Sequence, residues 1–192
     1  MSTAGKTPRF PQLTPETLTD AQRPLAEQIM KISRVGIAGP YNALLRSPVM
    51  AQRMYDLLDY LRWHSSVPTR LNEFAILIQG RLWRSQVEWF AHLPLAVKAG
   101  LSEKVALDLK ANKRPEDMQP DEAAVYDFCM ELSTKHAVSD ETFNRLRQFF
   151  SEQQVVDLTV ISGIYVTVAM VLAVSEASVP PGNELPFKPG EP

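Results

Sequence analysis

A single cysteine, Cys129, is all the thiol chemistry this chain of 192 residues carries. One cysteine excludes an intramolecular disulfide and suits a reducing compartment, with the cytoplasm as the expected location. No stretch is strongly basic: 20 Lys and Arg stand against 22 Asp and Glu, for a net charge of -2, and the two signs are mixed along the chain. Displacing counterions from a duplex needs clustered cations, so no nucleic-acid partner is expected. No apolar run reaches the length of about 20 residues that a membrane span needs. The longest, Val160 to Val174, is interrupted by Ser162, Gly163, Tyr165 and Thr167 and reads as a buried helix. The opening residues, MSTAGKTPRFPQLTPE, lack the apolar segment of a secretory signal. Period-two strand patterns with hairpin turns are missing too. Gly36 and Gly39 beside Pro40 do not make a phosphate loop, so no nucleotide or flavin cofactor is expected.

What remains is helical. Hydrophobic residues make up 45% of the chain and charged residues 22%, enough for one domain with a substantial core. Residues 1–14, with Pro8 and Pro11, read as an extended arm, and residues 178–192 as a proline-rich tail holding Pro180, Pro181, Pro186 and Pro189. Between them, residues 15–177 carry repeated helix starts. Thr19 to Gln22 has the reciprocal capping pattern and opens a stripe of Leu25, Ile29 and Ile32. Ser47-Pro48 and Pro68-Thr69 open two more helices. Gly80 lies where the second of these weakens. Ser85 to Glu88 is again a capping box, and that helix stops at Gly100. Ser102 caps Glu103 to Lys110, Pro120 starts a helix ending near Lys135, Ser139 caps one through Phe150, and a last long helix spans Glu152 to Ser175. The class is all-α.

Candidate chemistry is densest between Arg70 and Ser102. Glu88 and His92 are four residues apart and so share a helix face, with Cβ atoms about 5–6 Å from each other. A carboxylate beside an imidazole fixes its tautomer and makes the pair a proton donor or acceptor near neutrality. Trp89 and Trp83 offer apolar walls, and Arg81 or Arg84 an attraction for anions. The same residues also fit a purely structural role: Ser85 and Glu88 as caps, and His92 as an ordinary surface or core histidine. A zinc site is disfavoured, because two ligands at i and i+4 do not close one and neither His64 nor His136 has ligand spacing. Cys129, on a helix and without a second thiol, reads as packing.

The segments GPYNALLRSPVMAQRMYDLLDYLRW (from Gly39), VEWFAHLPLAVKAGLSEKV (from Val87) and VSDETFNRLRQFFSEQQVVDLTVISGIYVTVAMVLAV (from Val138) resemble the carboxymuconolactone decarboxylase and alkylhydroperoxidase D superfamily. The resemblance spans roughly Gly39 to Pro186. The superfamily's peroxidase branch reads E, eleven residues, C, two residues, C, three residues, H. On this chain the acid falls on Glu73, the two cysteine positions on Ser85 and Glu88, and the histidine on His92. Acid and histidine remain while both thiols are gone. Peroxide reduction by that route needs one thiolate to attack and another to resolve the sulfenate, so it is excluded.

A spatial requirement follows. On one straight helix Glu73 and Glu88 would stand roughly 22 Å apart, so the chain must break within Gly80 to Ser85 for Glu73 to join His92. Without such a corner Glu73 would be a helix-surface acid paired with Arg70 or Arg81. The resemblance implies a compact AhpD-like domain of about eight helices that forms homo-oligomers, with sites near subunit boundaries and the tail packed on a neighbour. It further implies a lyase resembling carboxymuconolactone decarboxylase, acting on a small carboxylated lactone or an aromatic-degradation intermediate. His92, held by Glu88, would be the acid, with Glu73 orienting it or relaying its proton. Arg84 or Arg81 would hold the substrate carboxylate, and Tyr41, Asn42 or Tyr165 would donate to the developing oxyanion. A non-catalytic small-molecule-binding or assembly protein on the same scaffold is the alternative, and a metal-assisted enzyme a third.

Overall fold

The structure, a computed structural model, describes residues 8–32 and 36–188. Among them are nine α-helices, one π-helical turn and no strand. In chain order the helices are α1 (Arg23–Ile32), α2 (Pro40–Leu44), α3 (Pro48–Asp59), α4 (Thr69–Leu82), α5 (Gln86–Lys98), α6 (Glu103–Lys110), α7 (Pro120–Lys135), α8 (Asp140–Leu146) and α9 (Glu152–Ser175), with the π turn at Tyr60–His64 after α3. The all-α expectation holds. The side chain of Ile32 and residues 1–7 and 189–192 lie outside the described residues.

The domain is built around α4. Every residue from Leu71 to Arg81 is buried, because its centre, Phe74 to Ile78, is apolar on all faces and so must be enclosed by other helices. The enclosing helices are α5, α7 and α9. Arg70 clamps α4 to α7: its guanidinium reaches Asp121 at 2.7 Å and also binds the buried Glu122. Glu122 in turn caps the start of α7 by accepting from the Gln119 amide at 2.8 Å.

The corner that the Glu73–His92 spacing requires is present, two residues later than Gly80 suggested. Helix α4 runs through Gly80 to Leu82 and closes when the Ser85 amide donates to the Gly80 carbonyl at 2.8 Å, a six-to-one bond that needs a left-handed residue just before it. Arg84, at φ 50°, fills that position. Gly80 instead faces α5, where an added Cβ would meet Glu88 Cβ at 3.6 Å, so it sets how closely the two helices approach.

Other helix ends divide by side chain. Ser102 and Ser139 cap as expected, Ser151 adds a capping box that opens α9, and Thr19 completes half its box when its amide donates to Gln22 Oε1 at 2.9 Å. Ser47 and Ser85 make no capping bond. Helix α8 ends at Leu146 rather than Phe150, in a series of tight turns.

Both described chain ends pack on their own subunit. The arm is held where the Leu13 amide donates to Asn42 Oδ1 at 2.8 Å and the Arg9 amide to the Ser175 carbonyl at 3.0 Å. In the tail, Gln86 makes two bonds to the Phe187 backbone, at 2.7 and 2.9 Å, and the Phe187 ring stands edge-on to Trp89, 5.2 Å away. Apolar burial of such a ring stabilises by about 2–3 kcal/mol, enough to offset ordering of a short extended segment.

Replacing Arg70 by Met should destabilise the fold by about 3 kcal/mol, because it leaves the buried Glu122 carboxylate unpaired. Urea unfolding checks this; a loss under about 1 kcal/mol would mean the pair behaves as a surface ion pair.

Candidate functional site

Glu73 sits on the first turns of α4, 3% exposed, and His92 on the second turn of α5. The corner folds the two helices together so that Glu73 Oε2 lies 2.6 Å from His92 Nδ1. The other carboxylate oxygen, Oε1, faces Arg62 Nη2 at 3.7 Å. A carboxylate buried this deeply needs charged or donating partners, and these two are its partners. With Nδ1 occupied, Nε2 is the ring nitrogen left for exchange; no described residue hydrogen-bonds to it. Glu73 is therefore neither a surface acid nor a partner of Arg70 or Arg81.

Arg62 was not anticipated. It rides on the π turn, where the Ser65 amide reaches back five residues to the Tyr60 carbonyl at 2.8 Å. A π turn is wider than an α turn and changes the direction in which a side chain leaves the helix. The opened Leu61 carbonyl is satisfied by buried Asn72 of α4 at 2.7 Å. The guanidinium packs over the Trp63 ring at 4.7 Å, and its buried Nε has no partner among the described residues. No sequence pattern marks a π turn, so only the tertiary contact with Asn72 reveals it.

Two tyrosines complete the enclosure. Tyr165 of α9 stands edge-on to the His92 ring, 5.0 Å between centroids at 89°. Burial drives its phenol well above the ordinary range, and Arg62 opposes that rise. Glu73, Glu88 and Tyr41 are also close enough to act on it electrostatically, which places all five groups in one neighbourhood. Tyr41 lines a small cleft with Tyr55, Leu58, Asp59, Arg62 and Trp63. Its phenol is likewise raised by burial, with Arg62 lowering it.

Glu88 does not hold His92. Both of its carboxylate oxygens are buried without a hydrogen-bond partner among the described residues, as are the Ser85 hydroxyl one turn earlier and the Trp89 indole nitrogen. Burial pushes the Glu88 carboxyl up to about 8, with the neighbouring Ser85 hydroxyl offsetting part of the rise. At neutral pH it is chiefly a neutral acid, a donor instead of a counter-ion. The capping box read at Ser85–Glu88 fails for the same reason: the carboxyl turns inward, away from the helix N-terminus.

The remaining candidates lie elsewhere. Arg81 donates to the Lys110 carbonyl at 2.9 Å, Arg84 to the Lys188 carbonyl at 3.1 Å, and both stack near Phe187. Neither is brought to the Glu73–His92 pair. Asn42 pins the N-terminal arm, and Trp83 is 42% exposed and walls nothing. Cys129 is fully buried, its thiol pushed up to about 12 by burial and set 3.5 Å from the Ser162 hydroxyl. Its lack of nucleophilic character is a property of that environment. Among the described residues no group of three or more His, Cys, Asp or Glu could hold a metal ion.

No family model matches the chain, and no curated protein matches it. Solved structures do. A protein from Ralstonia eutropha, described as an alkylhydroperoxidase AhpD core and uncharacterized peroxidase-related protein, superposes with a TM-score of 0.75 at 16% identity, covering 88% of this chain and 90% of that one. An uncharacterized peroxidase-related protein from a Silicibacter species gives 0.70 at 13% identity, covering 88% of each chain. The debrominase Bmp8, in complex with 2,3,4-tribromopyrrole, gives 0.67 at 16% identity, over 91% of this chain and 93% of that one. The fold is AhpD-like.

Because the folded state holds the Glu88 proton up to about 8 whereas the unfolded chain releases it near 4.5, stability should fall as pH rises across that window. The slope should reach at most about 1.4 kcal/mol per pH unit. In Glu88→Gln the corresponding slope should vanish from urea-unfolding midpoints taken over the same range. Equal slopes in the two proteins would show that Glu88 is ionised as in water.

Proposed function

We propose that the protein is a lyase resembling carboxymuconolactone decarboxylase, working by acid–base chemistry on a small carboxylated lactone or related cyclic acid. The observation that carries this reading is the buried 2.6 Å contact between Glu73 and His92 Nδ1, with Arg62 on the far side of the same carboxylate. An acid–base pair so enclosed is suited to placing a proton on carbon, and a cation open to a cleft is suited to an anionic substrate.

The substrate carboxylate enters between Tyr41, Tyr55 and Trp63 and meets Arg62, which takes the part first given to Arg81 or Arg84. The bond between ring carbon and carboxylate breaks, carbon dioxide leaves, and the electron pair delocalises into the conjugated carbonyl as a dienolate. Neutral Glu88 or Tyr165 donates to the dienolate oxygen. His92 delivers the Nε2 proton to carbon and is recharged from solvent, while Glu73 stabilises the imidazolium form. The neighbour described as a debrominase in complex with 2,3,4-tribromopyrrole supports small unsaturated rings as substrates of this scaffold. Thiol peroxidation has no support: Ser85 and Glu88 occupy the thiol positions, and Cys129 is sealed in the core.

The test is a panel of carboxylated lactones and aromatic-derived acids, followed by carbon dioxide release. Turnover should fall at least about a hundredfold in His92→Ala. Arg62→Gln should raise KM about tenfold or more, with a smaller effect on kcat. Turnover untouched by His92→Ala refutes the mechanism. Saturable binding without turnover on the whole panel would favour the non-catalytic alternative.

A further inference from the structure

The tail that follows α9 is fastened at two points with a loose strap between them. Val179 is buried, and Pro180 to Glu184 are exposed. Within the strap the Asn183 amide donates to the Pro180 carbonyl at 3.3 Å around Pro181 and Gly182, the latter at φ 86°. The strap therefore reverses in a tight turn held by its own backbone. Among the described residues, 178–185 hydrogen-bond only within that turn. The second fastening is Phe187, 2% exposed.

Phe187 is held as a bound ligand would be. The Gln86 side-chain amide donates to the Phe187 carbonyl at 2.7 Å and accepts the Phe187 amide at 2.9 Å, so it engages both backbone groups of one residue. The ring stands edge-on to Trp89, with the guanidinium carbons of Arg81 and Arg84 at 5.6 and 5.7 Å from its centroid. Arg84 also donates to the Lys188 carbonyl at 3.1 Å. All of these contacts run from side chains of the domain to the tail. Releasing them breaks no backbone hydrogen bond of any helix, which is the condition for a segment to open locally while the rest stays folded.

Beneath the ring lies the start of α5. Ser85 is surrounded by the cradle: Arg84 and Gln86 are its neighbours in the chain, and Trp89 is one turn on. The Ser85 hydroxyl, both Glu88 oxygens and Trp89 Nε1 are buried and bond to no described residue. Buried polar atoms left in this way cost stability, and four gathered at the start of one helix call for a reason. They run from beneath Phe187 towards His92, which follows Glu88 by one turn. Water or a small polar solute satisfies such a path when it enters, and Phe187 stands at its outer end.

We propose that the tail is a gate: Phe187 lifts from the Gln86–Trp89 cradle while the helices stay folded, and its lifting opens the Ser85 side of the acid–base site to solvent and small solutes. The strap and its turn form the hinge, and the two bonds from Gln86 form the latch. The gate lies apart from the Arg62 cleft, so the site has a second approach. Its bearing on turnover rests on the proposed acid–base function of His92; the opening itself does not.

Two measurements on the full chain test the gate. In native-state hydrogen exchange, corrected for intrinsic rates, the Phe187 amide should exchange at least about a hundredfold faster than the amides of Ile76 and Leu77 in α4, and low urea should leave its rate unchanged. One common rate for all three would mean that the tail leaves only when the domain unfolds, and the proposal would fall. The second measurement places a reporter under the tail: Ser85→Cys labelled with iodoacetamide, with the parent chain as control because Cys129 is fully buried. Adding Phe187→Ala should speed labelling at least about tenfold at unchanged helical circular dichroism. Adding Trp63→Ala, which widens the Arg62 cleft instead, should leave the rate within about twofold. Labelling indifferent to Phe187→Ala, or accelerated by Trp63→Ala, would put the entrance elsewhere and overturn the gate. Should Phe187→Ala lose its helical signal, Gln86→Leu, which keeps the ring and removes both latch bonds, carries the same expectations. Neither measurement needs a substrate, so a chain that turns over nothing leaves the gate standing, and a tail that never lifts leaves the acid–base proposal intact.

Discussion

The carboxylate of Glu73 constrains more of this molecule than any other group. It is nearly sealed from water on a helix whose central eleven residues are all buried, and an unpaired charge there would cost several kcal/mol. Its partners do not come from α4 itself: Ile76 and Leu77 one turn on are apolar, and Arg70 one turn back is engaged by Asp121 and Glu122. They arrive from two other segments. His92 is delivered by the corner at Arg84, and Arg62 by the π turn before α4. Both deliveries involve backbone that is unfavourable in isolation: a left-handed arginine and a widened turn. Local strain of this kind persists only where surrounding structure requires it, and the charge on Glu73 supplies that requirement.

Two glutamates four and nineteen residues from His92 have been given opposite chemistry by their surroundings. Glu73 has both oxygens engaged, one by an imidazole and the other by a guanidinium. Glu88, facing Ser85 and Tyr165 with neither oxygen bonded, is pushed to about 8 and stays protonated at neutrality. Their surroundings are opposite: one carboxyl is fully partnered and the other is buried without a partner. The spacing of Glu88 and His92 on one helix had favoured the opposite assignment. Periodicity reports which residues share a face, but burial on that face decides whether they meet each other or something across the interface.

The same distinction separates what was legible in the sequence from what was not. Helix class, the order of the long helices, and the caps at Ser102 and Ser139 follow from local patterns that tertiary structure left in place, while the need for a corner between Glu73 and His92 came from the family resemblance. Ser85 looked like the same kind of cap and is not, because its hydroxyl faces the interior beside Glu88. Arg62 was invisible, since its position depends on a turn stabilised by Asn72 from another helix. Arg81 and Arg84 were plausible anion binders by proximity in sequence, yet both turn toward the tail. Phe187 carried the one available signal of this docking, an aromatic residue in an otherwise proline-rich end.

The positions that hold thiols in the peroxidase branch are informative for how the scaffold changes chemistry. They fall at the start of α5, where the corner presents Ser85 and Glu88 to the space beside His92. A thiolate there would be favoured by the helix N-terminus and by an imidazolium, as reactive cysteines require. A carboxyl in the same place has the opposite need: it must be neutral to be buried unpaired. On this chain the position the resemblance assigns to a thiol holds Glu88, whose buried and unpaired carboxyl is pushed up to about 8. The backbone that positions the site does not depend on which chemistry is installed, because its closing bonds, Ser85 amide to Gly80 carbonyl and Asn72 to Leu61, involve none of the exchanged side-chain atoms. The AhpD-like fold is accordingly shared with solved structures that are 16% identical or less to this chain, and a shared fold leaves the chemistry to the residues of the site.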